Sequence, residues 1–281
     1  MLGMGGAMAT VADNFGGEFR QDDVLSGTPR AHAIDRWIYV FTAASFIAVT
    51  FAGFIPDSIG KIAAVQAGER PPFPLVLHFH AVLMGSFLTL LFAQTWLMAT
   101  GRRDLHMRLG VLGIILAPLL VVVGFILAPT MYHQVWDGAQ HAPAGLREQL
   151  QQRLLVMDDI LLLQLRIGLL FPLFLAIGIK ARGRNAGMHK RMMILATVMA
   201  IPASVDRITW LPSSMPASAL TPDLYTLAMV APMFLWDVTR NRRIHQAYWI
   251  WLAVNIPFAI FVHSAWDTGW WHATARQIMG V

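Results

Sequence analysis

Seven apolar stretches between Ile34 and Val281 are each long enough to cross a bilayer as a helix, at roughly 37–56, 74–98, 110–132, 159–179, 192–211, 224–238 and 246–266. About 20 apolar residues rising 1.5 Å each span a hydrocarbon core, and only helices or closed barrels satisfy their backbone groups there. The expected fold is therefore all-α: a polytopic membrane protein with a seven-transmembrane-helix bundle over residues 34–281. The sixth stretch is short and admits a start near Leu220. Composition points the same way. Hydrophobic residues make up 56% of 281 positions and charged residues 13%, against about 25% charged in a typical soluble domain.

The basic residues set an expected orientation. The N-terminal segment and the turns after the second, fourth and sixth stretches carry fourteen Lys and Arg, and the opposite loops and C-terminus carry six. By the positive-inside rule the N-terminus faces the cytoplasm and the C-terminus the outside, as suits a bacterial cytoplasmic (inner) membrane. Residues 1–33, rich in Gly, Ala and Asp and without the pattern of a signal peptide, are expected to form a disordered cytoplasmic tail. Trp270 and Trp271 suit a short C-terminal segment in the outer interface. The amphipathic stretch Leu146–Val156 is expected on the outer surface.

The net charge of +5 is confined to short turns, with no basic stripe interleaved with aromatics, so a nucleic-acid partner is not expected. There is no cysteine. This removes disulfides, thiolate-bound iron–sulfur clusters and thioether-attached haem, and leaves His, Asp, Glu and Met as metal ligands.

Three turns share a pattern: a basic turn, then His106, His189 or His245, then Pro118, Pro202 or Pro257 after 12, 13 and 12 residues. The expected reading is three repeated helical hairpins plus one N-terminal helix. In that frame these inner-face histidines are interfacial anchors, the alternative being that they converge as a ligand set. A second layer departs from the repeat. It comprises His78, His80, Arg166, Asp206, Arg207 and His263, inside spans where ionisable groups are costly and mark function by default.

Helix rise places His80, Arg166, Asp206 and His263 in one outer slab of the membrane. Arg166 needs a partner there, and Asp206 is the carboxylate at matching depth, so the two are expected to form a buried ion pair. The rings of His78 and His80 stand about 200° apart on a regular helix. His80 is therefore taken as the inward one and paired with His263. That pair is the minimum for a bis-His haem b. It also begins a divalent-metal site, completed from His78, His133, Asp158 or Asp159. Arg166 and Arg207 suit haem propionates or another anion.

No span holds a lysine for a retinal Schiff base, and no His-x-x-His occurs. The His-x-x-x-His of seven-helix zinc hydrolases is matched only by His263-x-x-x-Asp267. The favoured function is a His-ligated haem or metal redox protein acting on a quinol or lipid. The alternatives are a non-catalytic transporter or accessory subunit of a membrane complex, and a membrane zinc hydrolase.

From Arg36 onward the chain resembles a family of uncharacterised bacterial seven-span membrane proteins. The motifs are Leu77-His78-Phe79-His80-Ala81, Leu105-His106-Met107-Arg108-Leu109-Gly110 and His189-Lys190-Arg191-Met192-Met193, with Trp236-Asp237 and Arg243-Ile244-His245-Gln246-Ala247-Tyr248. The resemblance implies a fold and no chemistry. A looser likeness, in layout alone, is to di-haem transmembrane cytochromes b.

Overall fold

The computed structural model describes residues 23–26 and 31–281. Residues 1–22 and 27–30, most of the expected tail, lie outside the described residues. Asp23 to Ser26, however, belong to the fold: Val24–Ser26 form a 3-10 turn, and the Val24 N–H donates to Asn241 Oδ1 at 3.0 Å.

The described residues are helical, without a strand. The helices are α1 (Ala33–Gln66), α2 (Leu75–Ala99), α3 (Arg103–His141), α4 (Ala144–Ala181), α5 (Ala186–Thr197), α6 (Pro202–Val205), α7 (Leu220–Asn241), α8 (Gln246–Ala265) and α9 (Gly269–Met279). Five of them, α1 to α4 and α8, are long and apolar enough to cross a membrane. In α3 the most apolar window has a mean hydropathy of 3.0, yet only 11% of it is buried inside the protein. Such a helix presents apolar side chains on nearly every face, which suits lipid and not water. A multi-pass membrane protein accounts for this.

The other two expected spans are not among these five, although the sixth is a continuous helix that starts at Leu220. The fifth, 192–211, is not a continuous helix. α5 ends at Thr197, Val198–Ala200 form a 3-10 turn, and Pro202 opens the four-residue α6. Proline lacks the N–H that a continuing helix would use and crowds the preceding turn. The break is tolerated because this segment runs through the middle of the protein, with Met192, Ile194, Leu195, Ala196 and Val198 all 0% exposed. Irregular backbone at such depth is stable where protein and not lipid surrounds it. The sixth, α7, has 22 residues and would reach about 33 Å, but Asp223, Thr226, Asp237 and Arg240 interrupt its apolar character.

The three repeat-related segments therefore take different forms: 39 helical residues in α3, 12 in α5 and 20 in α8. Leu146–Val156 forms part of the first half of the 38-residue α4, with most of its residues exposed. The C-terminal segment is a helix, α9. Its Trp271, Ala275 and Met279, four residues apart, are buried, and Trp270 is exposed.

From α1 to α5 each helix packs against the next in sequence, and α5 is enclosed by α4, α8 and α1. The larger apolar core lies around α5, including Phe46, Phe87, Phe174, Met199 and Trp251. A smaller one, with Tyr132, Leu161, Trp266 and Trp271, fills the end covered by α9.

Gly53 marks where α1 meets the broken segment most closely: a Cβ there would collide with the Ser204 carbonyl. Because the obstacle is backbone, it cannot rotate away. Gly53→Ala should destabilise the protein by about 1–3 kcal/mol, read as a lowered melting temperature in detergent. Gly60→Ala, where a Cβ meets nothing within 4 Å, should be neutral or slightly stabilising.

Candidate functional site

Two polar clusters lie near opposite ends of α7 and α8. At the first, the Asp23 end, the Arg191 side chain is fully buried. Its Nε and Nη2 donate to the two oxygens of Asp237, the latter at 2.8 Å. Its Nη1 and Nη2 also donate to the carboxylate of Asp23 at 2.8 and 2.9 Å. Asp237 is itself fully buried and accepts further bonds from Tyr248 Oη at 2.9 Å and Asn241 Nδ2 at 2.6 Å. Beside this network the buried Asp35 accepts from Arg240 Nε at 3.0 Å and Trp236 Nε1 at 2.8 Å. The bidentate, multiply hydrogen-bonded geometry is what compensates the desolvation of buried charges.

His245 stands at the edge of this cluster. Its Nδ1 accepts from the Ala247 N–H at 3.1 Å and caps α8. Burial first, and then the nearby Arg191 cation, push its pKa down to about 4. The other two inner-face histidines lie together on α3 and α5, with ring centroids 6.3 Å apart. They do not stand apart as isolated anchors would.

At the second end, covered by α9, the sequence-derived layer is reorganised. Arg166 does not pair with Asp206. Its Nη2 donates to Asp223 Oδ1 at 2.6 Å, and Asp223 Oδ2 lies 2.9 Å from His263 Nε2. One carboxylate on the first turn of α7 thus joins α4 to α8. Asp206 was a plausible partner by depth along a straight fifth helix; the break at Pro202 removes that geometry, and Asp206 instead accepts from Ser213 Oγ at 3.3 Å. Arg207 turns to α1, over the Phe54 ring and 3.4 Å from Asp57.

His80 and His263 have different neighbours. His263 is held by Asp223, whereas His80 lies against α3, where a Cβ on Gly124 would be 4.0 Å from its Cε1. His80 Nδ1 is buried without a hydrogen-bond partner. His78 is exposed, with its ring 6.2 Å from that of Phe73. His133 packs beside the Tyr132 ring.

Asp158 and Asp159 meet Asp267 and His272, which lie beyond the last expected span. Asp159 Oδ1 accepts from the Asp267 N–H at 2.9 Å. Asp267 takes a left-handed backbone conformation, φ 54°, which Asp adopts more readily than most residues. One ligand atom each of Asp159, Asp267 and His272 lies within 4.8 Å of the others. Behind them Asp158 is fully buried. It accepts from Tyr132 Oη at 2.7 Å, and its backbone carbonyl accepts from Trp271 Nε1 at 2.6 Å. Its Oδ2 stands 3.2 Å from His272 Nδ1 and 3.6 Å from Arg276 Nε. The helical spacing of α9 presents His272 and Arg276 on one face, both toward Asp158. The sequence signal for this cluster is the Asp267-x-x-x-x-His272 spacing just beyond the last span, which encloses the Trp270-Trp271 pair read as an interfacial segment.

No family model, curated protein or solved structure matches the chain. The resemblance read from the motifs gains no support from these comparisons.

Removing one member of a buried pair leaves an uncompensated charge, so Asp237→Ala should cost about 3–5 kcal/mol. The check is thermal or denaturant unfolding in detergent, with the exposed Asp137→Ala as the neutral control. His245 gives a pH dependence. The unfolded chain protonates it near about 6.5, but the folded protein only near about 4. Between these values the unfolded state binds more protons, so stability should fall as the pH drops through that window. His245→Asn keeps a cap acceptor without the titration, and should flatten that slope in melting temperatures taken from pH 7 to 4.

Proposed function

We propose that the protein is a seven-helix integral membrane protein that binds a divalent metal ion at its α9 end, through Asp159, Asp267 and His272, and acts there on a lipophilic substrate. The observation that carries the reading is the convergence of these three ligand atoms within 4.8 Å. Ligands about 2.0–2.2 Å from one ion stand roughly 3–4 Å from one another, so little adjustment closes the set. Two carboxylates and one imidazole suit zinc, manganese or iron.

The support behind His272 favours the same reading. Metal-bound histidines commonly use their second ring nitrogen on a carboxylate, which fixes the tautomer and makes the ligand more basic. Asp158 Oδ2 stands 3.2 Å from His272 Nδ1, close enough for that role but not aligned as a hydrogen bond, and Tyr132 holds its other oxygen. His272 Nε2 is then the ligating nitrogen, on the side of Asp267 Oδ1 at 3.4 Å. A metal held by three protein ligands keeps a position for water or substrate and supplies Lewis-acid chemistry.

The distribution of Lys and Arg supports an outward-facing α9 end, and with it the cytoplasmic N-terminus and inner-membrane location. Seven crossings require α7 and the broken α5–α6 segment to traverse as well, enclosed by the other helices. A second reading is a structural charge network in a transporter or accessory subunit. It is favoured by Arg276 and His272 already standing against Asp158.

Metal analysis and zinc and manganese titration of the detergent-purified protein separate the two. The metal reading expects one ion per chain, affinity lowered at least about tenfold by Asp158→Asn, and binding abolished by His272→Ala or Asp159→Asn. A wild-type protein that takes up neither ion would leave the structural network as the better account.

A further inference from the structure

A second set of imidazoles meets at the Asp23 end, built from residues that the reading above does not use. His106 lies in the first turn of α3 and His189 in the first turn of α5, and their ring planes are 79° apart at a centroid separation of 6.3 Å. Each ring is fixed by the helix that precedes it. His106 Nδ1 faces the Gln94 carbonyl at 3.3 Å, in α2, and His189 Nδ1 faces the Gly178 carbonyl at 2.8 Å, in α4. A carbonyl only accepts, so in both rings Nδ1 carries the proton and Nε2 is the lone-pair nitrogen. Two neutral imidazoles of matching tautomer, each held through Nδ1 on a backbone carbonyl, are arranged as metal-binding histidines usually are.

A centroid separation of 6.3 Å leaves room for one ion if both Nε2 atoms turn toward it. Imidazoles bound on opposite sides of a metal at about 2.0–2.1 Å have ring centres roughly 6 Å apart. A polar group beside the pair lacks a partner: Gln94 Nε2 and Oε1 are buried without a hydrogen bond. Gly110, one turn beyond His106, leaves that amide room, since a Cβ there would be 3.9 Å from Gln94 Nε2. His245 is not part of the pair, because its Nδ1 is occupied in capping α8.

We infer that His106 and His189 are paired ligands, through their Nε2 atoms, of a transition-metal centre at the Asp23 end of the bundle. The ion is of the imidazole-binding class, copper, zinc, nickel or iron, taken up bare or as haem iron.

The test uses the full chain in detergent, with His272→Ala as background so that the α9 end contributes no imidazole. Cu2+ and hemin are added separately and followed by electron paramagnetic resonance and absorption. The expected result is one centre per chain, with hyperfine coupling to two imidazole nitrogens for copper or a low-spin Soret spectrum for haem; which probe succeeds identifies the source. His106→Ala and His189→Ala should each weaken that binding by roughly a hundredfold, and His245→Ala should leave it unchanged. The nitrogen couplings and the low-spin spectrum are read on a chain with both ligands intact, so a variant that fails to fold does not remove the test. If that chain binds neither probe at micromolar concentration, or if both substituted chains bind as it does, the pair is an edge-to-face aromatic contact and the inference fails. Loss of binding at the α9 end leaves this result untouched, because the two sets share no residue.

Discussion

The guanidinium of Arg191 is the point through which much of this fold is tied. It sits on α5 with no exposure, and its partners come from the N-terminal segment and α7, while α8 reaches the same carboxylate through Tyr248. A charge at that depth is stable only while every one of these donors and acceptors is in place. The network therefore fixes the relative placement of four parts of the chain at once. It also explains why Asp23 belongs to the fold although it precedes the first long helix.

The buried network and the broken helix depend on each other. α5 carries Arg191 into the interior and loses its regular form after Thr197, ahead of Pro202, and an irregular segment of this kind is stable at depth only where protein surrounds it. The surrounding α1, α4, α7 and α8 provide that enclosure, while α3 takes up the lipid-like role with its apolar faces outward. Polar atoms are thus concentrated at the two ends of the enclosed region: carboxylates with Arg and Tyr at one, and carboxylates with His and Arg at the other.

At the α9 end, two consecutive aspartates serve two different neighbourhoods. Asp158 is buried behind His272, and Asp159 receives the Asp267 amide. Neighbours on a helix point about 100° apart, so one side chain reaches His272 while the other reaches the Asp267 amide. α9 completes the arrangement, because it alone supplies His272, Arg276 and Trp271.

Apolar length and charge pattern by themselves determined that the chain is helical, multi-pass and membrane-like, because the bilayer imposes one length scale on every span. They also located the residues worth attention: Arg166, His263, Asp158, Asp159, His106 and His189 all recur in the polar contacts. Depth along a helix, however, says nothing about which face a side chain takes or whether the helix continues. Asp206 matched Arg166 in depth, yet Pro202 breaks the segment and Asp223 takes its place. His272 lay beyond the last span and became a neighbour of Asp158 only because α9 folds back over α4. The pairing of charges was decided by tertiary structure, since a buried ion selects the partner that approaches within hydrogen-bonding distance, and that approach is set by packing and not by spacing along the chain.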